Sequence, residues 1–125
     1  MERIETGAVP RPNGHYAQAI RHGGVLYVSG LLPMDPETGA PVPGFEAQAT
    51  LVLDRLAALL AAGGSALDQL LQLRIYVAGV EHWPTLDGLV AARLGEHRPA
   101  RAVVPVPGLH YGCLVELEAV ATAPD

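Results

Sequence analysis

Between Leu71 and Val77 apolar and polar side chains alternate without a break: Leu71, Leu73, Ile75 and Val77 against Gln72, Arg74 and Tyr76. A period of two marks a strand with one buried face. Helical periodicity brackets it on both sides. Residues 46–62 place Ala49, Val52, Leu53, Leu56, Leu59 and Leu60 at spacings of three and four, with Gly63-Gly64 as the stop. A second helix is predicted over 83–94, with Pro84 in its first turn, Trp83, Leu86, Val90 and Leu94 as its apolar stripe, and Gly95 after it. A half-buried strand between two amphipathic helices calls for a sheet that the helices can cover.

The remaining segments supply that sheet. Residues 1–14, punctuated by Gly7, Pro10, Pro12 and Gly14, read as a short edge strand and a loop. Tyr16 to Arg21 and Val25 to Ser29 flank His22-Gly23-Gly24, a Gly-rich link that suits an antiparallel hairpin. Pro33 to Gly44 is dense in turn formers and reads as a surface loop. The last strands are predicted at 101–104 and 113–121. On the latter, Val115, Leu117, Ala119 and Ala121 point one way, and Leu114, Glu116, Glu118 and Val120 the other. The order β-β-β-α-β-α-β-β predicts an α+β domain, a mixed sheet with both helices on one face. The other face, mixing charge with aliphatic groups, suits a partly polar subunit interface.

The 125 residues fit one domain, 1–125, with a real core. A net charge of -5, with all eight basic residues arginines spread along the chain, argues against nucleic acid as the main partner. The single cysteine and the absence of a signal-like N-terminus make the cytoplasm the expected compartment. No apolar stretch approaches the roughly 20 residues a membrane span needs. The five histidines are scattered without metal-ligand spacing, so no metal site is expected, and His110 is the one best placed to line a pocket.

Two residues carry the chemistry. Arg101 opens an apolar strand, and a guanidinium's rigid fork of donors matches a carboxylate. Glu116 stands on the next strand and is suited to exchange a proton with water. Tyr16 offers a phenolic hydroxyl as an orienting group, and Ser29-Gly30 a backbone that a ligand can approach closely. Taken alone, Arg101 fits a structural ion pair with Glu116, Glu118 or another acid equally well, Glu118 being the favoured partner. Glu116 alone suits a solvated strand position, and Tyr16 a core or interface position. Cys113 reads as a small buried hydrophobe.

Taken together, these motifs resemble the Rid family, the YjgF/YER057c/UK114 proteins also known as endoribonuclease L-PSP. The resemblance runs through Gly14-His15-Tyr16-Ala17-Gln18-Ala19, the stretch from Val28 to Gly39, Glu46-Ala47-Gln48, Pro99-Ala100-Arg101 and Val115 to Ala121. It implies a chorismate-mutase-like α+β fold with a mainly antiparallel sheet, assembled as a homotrimer with clefts between subunits. It implies a cofactor-free hydrolytic deaminase that takes enamine/imine intermediates of the 2-aminoacrylate type to 2-keto acids and ammonia. Arg101 matches the residue that binds the substrate carboxylate and Glu116 the one that positions water. Tyr16 and Gly30 match cleft positions, and Val103 one that contributes backbone contacts.

This chain departs from the family at His15, where proline is usual, at Leu31 and Ala102-Val103, and at Asp87, where asparagine is common. Carboxylate binding and water activation survive these changes, whereas side-chain selectivity is open. Two alternatives stand behind the deaminase: a non-catalytic carboxylate-binding trimer and, last, a ribonuclease or translation inhibitor, which the acidic chain disfavours.

Overall fold

A computed structural model describes residues 1–124. The chain runs β1 (Glu2–Ile4), β2 (Ala19–His22), β3 (Val25–Leu31), β4 (Met34–Asp35), β5 (Ala40–Pro41), α1 (Phe45–Ala62), β6 (Leu70–Val77), α2 (Trp83–Leu94), β7 (Ala100–Pro105) and β8 (Val115–Thr122). Six strands form one sheet in the order β1-β2-β3-β8-β6-β7, antiparallel throughout except for the parallel pair β6-β7.

This order explains why both helices share a face. The crossover β3-α1-β6 steps over β8, and β6-α2-β7 steps to the next strand in the same direction. Crossovers between parallel strands are right-handed, so two that step the same way place their helices on the same side. The buried stripe of α1, from Ala49 to Leu60, and Leu86 and Val90 of α2 meet Leu26, Leu73, Ile75, Val115 and Leu117 from the sheet in one core. Alternation along β8 is as predicted, with Val115, Leu117, Ala119 and Ala121 buried and Glu116, Glu118 and Val120 half-buried on the face without helices.

Five details differ from the sequence reading. Leu70, not Leu71, enters the core: the β6-β8 register shifts between Leu70 and Gln72, and the bulge turns Leu71 outward at 47% exposure. Trp83 leaves the apolar stripe of α2 and stays 42% exposed. The 33–44 segment is not featureless, because β4 and β5 pair as a small hairpin. The strand predicted from Tyr16 begins at Ala19, and that predicted from 113 begins at Val115 after a 3-10 turn at His110–Gly112.

Candidate functional site

The β3-β8 register shifts between Val28 and Leu31: Val28 faces Ala119 and Leu31 faces Leu117, so three steps on β3 match two on β8. The extra residue makes a bulge at Ser29-Gly30. Ser29 anchors it, its N–H donating to the Gln18 carbonyl at 3.0 Å and its hydroxyl to the Ala17 carbonyl at 2.6 Å. Gly30 is then turned toward Glu116, and a Cβ there would collide with the carboxylate oxygen Oε2. Gly30 also lines a cavity of about 280 Å³, together with Tyr16, Gln18, Arg55, His110 and Tyr111. Tyr16 is 54% exposed, and its ring packs over Gly14, where a Cβ would lie 3.2 Å from Cε1.

Burial pushes the Glu116 carboxyl above the ordinary glutamate range; His110 opposes this, and Glu118 adds to it. A carboxylate shifted in this direction is a better proton acceptor near neutral pH than a solvated one. His110 stands on the turn before β8, where Tyr111 has φ of 62° and Gly112 φ of 73°. A left-handed tyrosine is uncommon, and here it belongs to the cavity wall.

Arg101 and Val103 lie elsewhere. Strand β7 is the sheet edge, and its parallel register sets Arg101 beside Leu73 and Val103 beside Ile75. Parallel partners share a face, so both residues point to the helix side, as buried Leu73 and Ile75 do. Val103 packs against the core. Arg101 reaches α2, donating from Nη1 to Asp87 Oδ1 at 2.7 Å, with its Cζ 6.0 Å from the centre of the Trp83 ring.

Glu116 sits opposite Tyr76, on the other face of the sheet. Strands β7 and β8 are separated by β6, two strand spacings or about 10 Å. Within one chain, therefore, Tyr16, Gly30 and Glu116 form one group and Arg101 and Val103 another. The ion-pair alternative for Arg101 holds, but with Asp87. The favoured partner is corrected: Glu118 accepts the Tyr76 hydroxyl at 2.6 Å and lies 3.6 Å from Arg74. Cys113 is buried, and burial pushes its thiol pKa up, which disfavours the nucleophilic thiolate.

Three contributors escaped the sequence reading. Arg55, buried on α1, donates from Nη1 to the Leu32 carbonyl at 2.9 Å and from Nη2 to the Met34 carbonyl at 2.7 Å, pinning one wall of the cavity. Its only sequence signal is a charge inside the apolar stripe. Tyr111 gives no signal beyond the glycine after it. Asp87 is visible as a departure from the family pattern, but its partner is not. Among the described residues no cluster of His, Cys, Asp or Glu is able to hold a metal ion, and no helix is long and apolar enough to cross a membrane.

Comparison with known proteins matches this fold and these motifs along almost the whole chain. The profile of the family described as Endoribonuclease L-PSP matches residues 6–123. A RutC family protein of Pyrococcus horikoshii is 36% identical over 121 residues, covering 96% of each chain. A 2-iminobutanoate/2-iminopropanoate deaminase of Salmonella typhimurium is 31% identical, covering 94% of each. The crystal structure of RidA from an Antarctic Psychrobacter superposes with a TM-score of 0.92 at 34% identity, over 98% of this chain and 99% of that one. With the family profile, the sequence relatives and the superposed structure in agreement, the chain belongs to the Rid family, the endoribonuclease L-PSP proteins.

Proposed function

We propose that the chain is an enamine/imine deaminase, working as a homotrimer in which Arg101 and Val103 of one copy complete a cleft with Tyr16, Gly30 and Glu116 of a neighbouring copy. The observation that carries the proposal is the split itself. Arg101, whose donors suit a carboxylate, and Glu116, a carboxylate of raised pKa, lie on opposite faces of a single sheet and do not meet within one chain. A heterologous contact that closes into a ring of three is the way one chain's half-site meets another's in a trimer. The helix-free face offers the contact, with Tyr27 exposed beside half-buried Ile20 and Val120, and the Arg74, Glu118 and Tyr76 cluster next to them.

In such a cleft Arg101 would hold the carboxylate of a 2-imino acid by two of its donors. A 2-aminoacrylate substrate reaches this imine by tautomerisation. Water attacks the iminium carbon as Glu116 takes a proton from it, forming the C–O bond. Glu116 then returns that proton to nitrogen; as the C–N bond breaks, the carbinolamine hydroxyl gives its own proton to Glu116 and becomes the keto oxygen, ammonia and the 2-keto acid leave, and Glu116 passes the proton to ammonia or solvent. The protonated imine is electrophilic already, so orientation and a base suffice and the proposal needs no cofactor. Support comes from the relatives named 2-iminobutanoate/2-iminopropanoate deaminase.

The test is a coupled assay in which a dehydratase generates 2-aminoacrylate from serine and pyruvate release is followed. Faster release than buffer alone is expected. No acceleration removes the substrate assignment, and pyruvate binding without turnover would favour the non-catalytic trimer.

A further inference from the structure

In the described structure Arg101 is already engaged by a carboxylate of its own chain. Asp87 Oδ1 accepts from Nη1 at 2.7 Å, with the two side chains 28% and 43% exposed for Arg101 and Asp87 respectively. Among the described residues the one hydrogen-bond partner of the Arg101 side chain is Asp87, through Nη1 alone, and the centre of the Trp83 ring lies 6.0 Å from Cζ. A guanidinium offers five donors in one plane, so the edge away from Asp87 remains able to take a second carboxylate. That second carboxylate would stand about 4–6 Å from the Asp87 carboxylate, the width of the shared guanidinium, where two like charges repel appreciably even in a partly solvated setting. The Arg101 site thus presents a cation whose charge is balanced before any ligand arrives.

We infer that Asp87 makes the Arg101 site charge-selective, favouring a zwitterionic acid, with a cationic nitrogen next to its carboxylate, over a simple organic anion. This deepens the proposed function and rests on Arg101 being the carboxylate anchor. A ligand whose cationic nitrogen is bonded to the carbon beside its carboxylate brings a compensating charge into the field of Asp87. A plain keto acid brings none. The imino acid in its reactive, protonated form is such a zwitterion, and the 2-keto acid left after hydrolysis is a net anion. Asp87 therefore discriminates substrate from product by charge at a site where their shapes nearly coincide, and it speeds the departure of the anion. Asparagine at this position would keep the hydrogen bond to Nη1 and lose the selectivity, which makes Asp87 a specificity-determining residue rather than a structural one.

The test compares pyruvate with L-alanine, which carries an ammonium group in place of the keto oxygen, by calorimetric titration at low ionic strength. Asp87→Asn is expected to bind pyruvate roughly fivefold tighter, with no matching gain for alanine, the solvent-exposed charge setting the modest size of the effect. Added salt should narrow the same difference in the unsubstituted protein. If Asp87→Asn binds pyruvate no tighter, or both ligands shift by the same factor, Asp87 only orients Arg101 and the inference is overturned. Arg101→Ala serves as the separate control. Loss of both ligands supports the anchor, whereas undiminished binding of both removes the anchor reading itself, whatever Asp87→Asn does.

Discussion

The Glu116 carboxylate fills the space that a side chain on Gly30 would need. This contact joins a backbone irregularity to the group with the best claim to chemistry. The bulge at Ser29-Gly30 brings the two strands' residues into this arrangement, and glycine is required there for space, since its φ is not in the left-handed region. The colliding atom is the end of a flexible side chain, so the fold tolerates what the site does not.

Gly30→Ala is therefore expected to leave stability within about 1 kcal/mol of the parent while lowering kcat/KM at least tenfold, because the carboxylate must swing away. Thermal unfolding and the coupled assay, run on the same preparation, separate the two effects. A variant that unfolds early would place Gly30 among the structural glycines.

The raised pKa of Glu116 has a definite sign in both activity and stability. As a base it works only when ionised, so kcat/KM should climb with pH along a limb displaced upward from the ordinary glutamate range. His110→Gln removes the group that opposes the shift and should move that limb further up.

For stability, the neutral form is favoured in the folded chain. Its contribution is fully present below the unfolded carboxyl's range and is lost as pH rises through the raised folded value. Glu116→Gln should accordingly melt above the parent at neutral pH and level with it in acid. Melting curves taken across that range decide the matter, and a variant that gains nothing at neutral pH contradicts the assignment.

Tyr27 is exposed on the helix-free face, flanked by Ile20 on one strand and Val120 on the other. Tyr27→Asp would bury a charge in the proposed interface, so a folded monomer with activity reduced on the order of 100-fold or more is expected. Light scattering coupled to gel filtration reads the mass, and circular dichroism reads the fold. An active monomer would show that one chain holds a whole site.

Cys113 is buried, with its sulfur 3.5 Å from that of Met34. Cys113→Ala should cost about 1 kcal/mol of stability by leaving a small void, and change kcat/KM by no more than about twofold. Arg101→Ala should show the reverse pattern, with stability kept and activity lost. Equal activity in the two variants would undo the separation of roles.

Much of this architecture is legible in the residues because local patterns and the tertiary structure agree. Alternation in β8 and the three-four spacing of α1 each admit one orientation, and both elements lie where the periodicity puts them. Leu70 and Leu71 are a different case. Two adjacent leucines read alike, and only the bulge against β8 decides which enters the core. Glycine at position 30 signals close approach, but the approaching group is Glu116, 86 positions on, brought there by sheet pairing that no local pattern encodes. The pairing of Arg101 with Asp87 depends likewise on how the α2 crossover docks on the sheet edge. Least legible is the division of the candidate site between two faces of the sheet, which follows from strand order and the parallel register of β7.

The central claim is that Arg101 and Glu116 act together from different copies of the chain. Arg101→Ala and Glu116→Gln should each be inactive alone. Assembled together from equal amounts by co-refolding, they form mixed oligomers in which some clefts receive an intact arginine from one copy and an intact glutamate from another. Random mixing should restore about one quarter of the parent activity per site. Were both residues to act from the same chain, no cleft would hold an intact pair, and a mixture as inactive as either variant alone would contradict the account.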